Sequence, residues 1–401
     1  MMRIIVDSQS NSLFRGSALE QSYSQRGGLC EVGDEHIVVC REEVDPDYLA
    51  YWRSIGFTLP KLVMVHPDGP DDTGTLSELL AEDEGAQAEI LRHVGGCAAR
   101  IEFFTIAETE QRLLEKLPIP GYCNSTFSIQ FESKPAFRRL ACHLGLPQID
   151  GAICRSFEDL RRFALPRLQR GQRVIVKSER GTGGLACGGM QVLADLRDLE
   201  NVPESVKFLG QEFLAEEVVE GVHTEASLQW EITESGEISS TAMAQQLAPQ
   251  FGYIGTCWPP DLPAEKSAVF EARVRDQLGP AIRALGARGF FCCDLIVDPR
   301  EHWMDFNPRK GAIRYILQMV QRHRGKLVPF WHEHFSLGRP AEFGDVRRSL
   351  DDLLDPSRRS HLVVTNPSLL QHGFVDLTGI GPTRDEARNV LNEGRKQLLA
   401  A

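Results

Sequence analysis

The segment FFCCDLIVDPREHWMDFNPRKG, residues 290–311, decides how this chain is read. Two apolar arms flank DPRE, which reads as the loop of a hairpin. With a four-residue loop, Val297 pairs with His302 and Asp294 faces Asp305. Side chains alternate along a strand, so Asn307 shares the face of Asp305, opposite Cys292. Opposed β-carbons lie roughly 4.5–5.5 Å apart, and two like charges there are destabilising unless a cation sits between them. Two carboxylates and an amide oxygen are hard donors, suited to Mg²⁺ (or Mn²⁺) shared with phosphate oxygens rather than to zinc or copper. The plainer alternative is an aspartate turned to solvent at a sheet edge.

A second stretch, VIVKSERGTGGLACGG (174–189), runs from a short strand into a loop with five glycines in nine residues. Without β-carbons, such a loop lets backbone N–H groups approach phosphate oxygens. It is not a Walker A loop, because the lysine precedes the glycines, and no helix follows within it as a dinucleotide fingerprint requires. Lys177 shares a strand face with Ile175 and so points into partly apolar surroundings, where an ammonium needs an anion. The competing reading is an ordinary hairpin turn with a surface lysine. Upstream, SKPAFRRLACHLGLP (133–147) predicts a helix: Ser133 caps it, Pro135 suits its first turn, Phe137, Leu140, Ala141 and Leu144 share a face, and Gly145 and Pro147 stop it. Lys134 then stands at the helix start.

The rest of the chain bounds the function. Its 401 residues are 42% hydrophobic and 25% charged, enough for two or three packed domains. A net charge of −12 argues against a nucleic-acid surface, which needs clustered Lys and Arg. Ten scattered cysteines without CxxC favour reduced thiols and a cytoplasmic setting. No apolar run suggests a signal segment or membrane span. Residues 1–120 alternate short apolar runs with helical stretches, as a small α/β domain does, and LPIPGYCNSTFS (117–128) reads as a linker. A hairpin is expected around Ser235 and Gly236, and a helix over 266–285. FWHEHF (330–335) sets two histidines on one strand face with no evident third ligand, which favours a structural role, and Cys292 and Cys293 read as packing residues. GYIGTCWPP (252–260) reads as a loop.

A lysine at a helix start, a lysine before a flexible glycine loop and a metal-acid hairpin ending in DFNPR, in that order over residues 120–315, resemble the ATP-grasp superfamily. The resemblance implies a mixed α+β and α/β chain. A pre-ATP-grasp α/β domain (1–120) would precede an ATP-grasp domain (121–330, subdomains about 121–200 and 201–330) and an extension (331–401) packed on it. It implies that Lys134 and Lys177 hold the phosphates of ATP and that the loop from Arg180 through Gly181, Thr182, Gly183 and Gly184 closes over them. AEEVVEG, with Glu216, Glu217, Val218 and Val219, would line the adenine, and Glu225 would meet the ribose. Asp294, Asp305 and Asn307 would bind the metal, and Arg309 would steady the reacting group. Two departures stand out: the second metal acid is usually Glu, and Cys292 occupies a position where some members carry arginine. The first domain, YCNSTFSIQFESKPAFRRL and the tail look most like pheganomycin-type peptide ligases. That implies amino acids or short peptides as carboxylate and amine substrates, with ADP and phosphate as products; a homodimer is a separate expectation that the resemblance does not carry.

Overall fold

The computed structural model describes residues 1–8, 22–66, 74–122, 130–180, 189–202, 212–221 and 224–400. The chain divides into two compact units: residues 1–125, 254–259 and 309–401 form the first, and residues 126–253 and 260–308 the second. The sequence reading set its last boundary at 330. The division instead falls after Pro308, so the helix Ala312–Arg324 and everything beyond it group with the N-terminal stretch.

In the first unit, strands β1 (Met2–Val6), β2 (Ile37–Cys40), β3 (Lys61–Met64) and β4 (Ala99–Phe103) form a parallel sheet in the order β3-β2-β1-β4. Parallel strands buried on both faces need near-continuous apolar runs. Ile4, Val6, Ile37, Val39, Val63 and Ile101 supply them, each fully buried. Local chemistry sets the helix starts. Asp45 accepts from Asp47 N (2.8 Å) ahead of Pro46–Ser54, and Thr75 and Glu78 form a reciprocal capping box.

The second unit carries two antiparallel sheets. Strands β5 (Gly151–Cys154), β6 (Val174–Lys177), β7 (Met190–Leu193) and β8 (Phe213–Glu217) are ordered β5-β8-β6-β7, backed by the helix Phe157–Leu168. Strands β9 (Thr224–Ile232) and β10 (Ile238–Leu247) form the expected hairpin, with Gly236 at φ +85° in its turn. Strand β11 (Gly255–Trp258) belongs to the first unit. Strands β12 (Gly289–Val297) and β13 (Glu301–Asn307) complete the row β13-β12-β9-β10. One face of this row is dry. Phe291, Cys293 and Leu295 of β12, Trp230 of β9, and Trp303 and Phe306 of β13 pack with Phe137 and Ala141 of the helix Lys134–His143. Phe291 and Phe306 stack at 5.7 Å, and Phe137 and Phe306 at 5.5 Å. The opposite face carries the polar residues of the same strands.

The first unit closes with β14 (Phe330–Ser336), β15 (His361–Val364) and β16 (Phe374–Ile380), in the order β11-β14-β16-β15. Tyr48 OH donates to Val364 O (2.9 Å), tying this tail to the N-terminal stretch. The FWHEHF histidines sit here. His332 is buried against Thr378 Oγ1 (2.9 Å), and His334 Nδ1 pairs with Asp376 Oδ1 (2.7 Å). Burial pushes the pKa of His332 down to about 4, against the pull of Asp376 and with help from His334 and Arg26. His361, whose Nε2 lies 2.8 Å from that of His323, is also pushed to about 4 by burial. A ring kept neutral in the fold contributes fully above the unfolded pKa of about 6.5. That contribution is lost as pH falls from 6.5 towards 4, because the unfolded chain takes up protons that the folded chain refuses. Lowering pH from 7 to 5 is expected to destabilise the protein by roughly 1–2 kcal/mol through His332. Urea midpoints of wild type and His332→Asn at the two pH values check this: the variant should lose less on acidification, and an equal loss refutes the assignment.

Candidate functional site

The β12–β13 hairpin differs from the sequence reading at its tip and agrees with it at its base. Val297 pairs with Glu301, not His302, so the loop has three residues, 298–300, and Asp298 Oδ1 accepts from Arg300 N (2.6 Å). The register then shifts between Leu295, which faces Trp303, and Asp294, which faces Asp305; Met304 is the extra residue. This bulge is required by the pattern itself. Strict alternation would send Trp303 and Asp305 to the same face, whereas Trp303 and Phe306 are both in the dry core. The bulge turns Asp305 and Asn307 onto the polar face while keeping both aromatics inside.

On that face Asp294 is held firmly. Its Oδ1 accepts from Ser227 Oγ of β9 (2.8 Å) and Gln246 Nε2 of β10 (2.6 Å), and its Oδ2 from Asn307 Nδ2 (3.1 Å). Gln229, opposite Cys292, donates in turn to Ser227 Oγ (2.9 Å). Asp305 differs: its Oδ1 accepts from Phe306 N (3.1 Å), and its Oδ2 lies 3.1 Å from Lys134 Nζ. Lys134 starts its helix as expected, but Ser133 makes no side-chain cap; Lys134 N instead donates to Glu179 O (2.9 Å). The structure therefore gathers Asp294, Asp305, Asn307 and Lys134.

The donor chemistry fits Mg²⁺. Every candidate ligand atom is a hard oxygen once the Asn307 amide is turned, a choice of amide orientation rather than of backbone. Among the described residues no group of three or more His, Cys, Asp or Glu is arranged to hold a metal ion. Two carboxylates and an amide are the incomplete set that phosphate oxygens and water complete around Mg²⁺. The eight cysteines among the described residues are free; Cys293 is fully buried, and burial raises its thiol pKa well above the ordinary value.

Lys177 forms a second ion pair. Lys177 is 4% exposed and its Nζ lies 2.6 Å from Glu216 Oε2, while Glu216 Oε1 accepts from Arg138 Nη1 (2.8 Å). The anion that the buried lysine requires is thus internal to the fold. Arg138 is itself fixed through Nη2 to Ile149 O (2.9 Å) and Gly151 O (3.0 Å). The Glu216 carboxylate is committed to these cations, Glu217 Oε1 accepts from Gln172 Nε2 (2.9 Å), and Val218 N donates to Arg173 O (3.0 Å). Val219 and Glu225 are partly buried, Glu225 facing Ile296. Arg180 is exposed, and its carbonyl accepts from Ser178 Oγ (2.6 Å). Gly181, Thr182, Gly183 and Gly184 lie outside the described residues.

Arg309 follows the hairpin in sequence but belongs to the first unit, where its Nη1 donates to Lys310 O (2.9 Å) and its guanidinium lies 5.2 Å from the Phe104 ring centre. Lys310 was not singled out from the sequence. It is buried, with Nζ 2.7 Å from Glu31 and 3.1 Å from Glu102. Burial pushes the Glu102 carboxyl up, but Lys310 and Arg3 outweigh it and hold Glu102 below the usual carboxylate range. Sequence reasoning also missed Ser227, Gln246 and Arg138. Pairing β9 beside β12 in sequence would have found Ser227, but nothing local marks Gln246.

No protein-family model matches the chain, and no curated protein matches it. Solved structures do. An N5-carboxyaminoimidazole ribonucleotide synthetase in an ADP complex aligns with a TM-score of 0.61 at 14% identity, over 98% of this chain and 96% of that one. The synthetase from Thermus thermophilus gives 0.57 at 17%, over 100% and 99%. Biotin carboxylase from Campylobacter jejuni, in a β,γ-ATP complex, gives 0.60 at 14%, over 100% and 94%. No helix among the described residues is long and apolar enough to cross a membrane. At these identities the likeness is one of fold, and the fold of this chain is the ATP-grasp fold.

Proposed function

We propose that the protein is an ATP-dependent, ADP-forming carboxylate–amine ligase that works through an acyl phosphate. The observation that carries this reading is the polar face of β12 and β13. Two aspartates oppose each other there with Asn307 beside them, and a lysine approaches from a helix start. The carboxylate substrate would attack the terminal phosphorus of ATP, releasing ADP, and the amine would then displace phosphate from the acyl carbon. No protein nucleophile is needed; catalysis rests on positioning and charge neutralisation. Asp294, Asp305 and Asn307 would hold Mg²⁺, or Mn²⁺, which neutralises charge on the transferring phosphoryl group. Lys134, Lys177 and the loop of Arg180, Gly181, Thr182, Gly183 and Gly184 would orient the phosphates, and Arg309 would steady the reacting carboxylate. Glu217, Val218, Val219 and Glu225 would line the nucleoside, with Glu216 acting through Lys177. Amino acids or short peptides are the proposed substrates, on the resemblance to pheganomycin-type ligases.

The test measures ADP, AMP and phosphate from Mg-ATP with pooled amino acids, small carboxylic acids and bicarbonate, with hydroxylamine present to trap acyl groups. ADP together with a hydroxamate is the expected result, and deconvolution names the acid. A phosphorylated product without free phosphate would instead establish a kinase. Thermal stabilisation by Mg-ATP with no turnover in any pool would favour a nucleotide-binding regulatory protein over a ligase for these acids.

A further inference from the structure

The two aspartates of the site are held in different ways. Asp294 Oδ1 accepts two hydrogen bonds, from Ser227 Oγ at 2.8 Å and from Gln246 Nε2 at 2.6 Å. Ser227 stands opposite Asp294 on β9, and Gln246 reaches the same oxygen from β10, across β9. The direction of the Ser227 bond is set from behind. Gln229 Nε2 donates to Ser227 Oγ at 2.9 Å, so the hydroxyl proton is directed at Asp294. On Asp305, by contrast, Oδ1 accepts one bond, from Phe306 N at 3.1 Å, and Oδ2 lies 3.1 Å from Lys134 Nζ. We propose that Gln229, Ser227 and Gln246 are positioning residues that make Asp294 a one-oxygen metal ligand and so bias the site towards Mg²⁺ and against Ca²⁺. The inference rests on the nucleotide reading above and adds a choice of metal to it.

A carboxylate oxygen has two lone pairs to share, and both of those on Asp294 Oδ1 are committed. A metal ion therefore meets Asp294 through Oδ2, where the amide of Asn307, itself a candidate ligand, donates at 3.1 Å. Carboxylates that offer one oxygen each, completed by phosphates and retained waters, suit the near-ideal octahedron of Mg²⁺. Ca²⁺ takes about six to eight oxygens, often both of one carboxylate, and gains most from an acid that can turn. Asp294 is held against turning. Ser227 and Gln246 are neutral, so they fix the carboxylate while leaving its negative charge for the metal. Ser227 and Gln229 are each 1% exposed, so water does not compete for the chain that ends on Oδ1. Replacing outer partners of this kind typically alters metal affinity by roughly 10–100-fold.

ADP affinity, measured by calorimetry in saturating Mg²⁺, in saturating Ca²⁺ and in EDTA, tests this without turnover. Wild type is expected to bind Mg·ADP at least about tenfold more tightly than Ca·ADP, and both more tightly than ADP in EDTA. Ser227→Ala/Gln246→Leu removes both donors from Oδ1, and the preference for Mg²⁺ should fall below about threefold. Ser227→Thr/Gln246→Leu keeps the hydroxyl and should recover part of it. Gln229→Leu, which removes only the donor behind Ser227, should lower the preference part of the way and serves as the test if the double variant fails to fold. Circular dichroism and a thermal midpoint accompany each variant, and the ratio of the two affinities is the readout because a folding defect weakens both complexes together. If the wild-type ratio persists in every folded variant, the three residues do not choose the metal and the proposal fails while the nucleotide reading stands. If wild type binds Mg·ADP and Ca·ADP equally well, with or without a difference from EDTA, the proposal is overturned and the nucleotide reading again stands. If wild type binds ADP under none of the three conditions, the nucleotide reading falls and this inference with it.

Discussion

Asp305→Asn should lower turnover at least about a hundredfold while leaving the fold intact, because preorganised charge at a phosphoryl-transfer site is worth that much or more. The substitution keeps shape and one acceptor oxygen and removes only the charge. The Asp305 side chain is 19% exposed and sits beside the buried Lys134, so the substitution is expected to cost some stability without unfolding the chain. The aromatic stack behind it, Phe306 on Phe291 and Phe137, does not involve its carboxylate. Steady-state ADP release and a thermal midpoint, measured on the same preparation, separate the two effects. Near-normal turnover would remove this pair of strands from the chemistry altogether. A large drop in midpoint would mean that Asp305 is structural instead. Asp294→Asn is the less clean experiment, since Ser227, Gln246 and Asn307 all donate to that carboxylate and an amide there would face three donors.

How much of this site was legible in the sequence depends on what sets each position. Alternation along β12 and the acid at each end of the hairpin place Asp294 opposite Asp305, and the structure pairs them so. The reading reached that pairing through a four-residue loop, whereas the protein combines a three-residue loop with a bulge at Met304. Two one-residue errors cancelled. The clue was in the string WMDF: two large aromatics three apart on a strand cannot share a face unless one residue is extra. The Lys177 ion pair was half legible. Burial of a lysine demands an anion, but Glu216 lies across a strand pairing, Ile175 with Glu216, that no local pattern announces. Chain topology was least legible. Residues 309–330 carry the same apolar periodicity whichever unit they join, and long-range contacts such as Arg322 with Leu29 O and Lys310 with Glu31 decide that they pack with the N-terminal stretch.

The ion triad of Lys177, Glu216 and Arg138 sets the largest stability effect. Glu216 is 2% exposed and bridges two cations, so Glu216→Gln leaves a buried ammonium and a guanidinium facing an amide. Breaking a buried pair by removing one partner typically costs about 3–5 kcal/mol, because the remaining charge is uncompensated. Arg138 keeps two carbonyl acceptors, at Ile149 and Gly151, so most of the penalty falls on Lys177. A double-mutant cycle isolates it. In a Lys177→Met background, where the ammonium is gone, Glu216→Gln should cost less than about half its single-mutant value in urea unfolding. Equal costs in both backgrounds would mean that Glu216 stabilises the sheet through Arg138 alone and does not position Lys177. The same cycle bears on function. A lysine held 2.6 Å from an internal carboxylate cannot swing freely, so a phosphate meeting it must share the ammonium with Glu216. Glu216→Gln should therefore weaken nucleotide affinity through a loosened Lys177, and the weakening should vanish once Lys177 is already methionine. An effect of Glu216→Gln on affinity that persists in Lys177→Met would assign Glu216 a direct role towards the nucleotide.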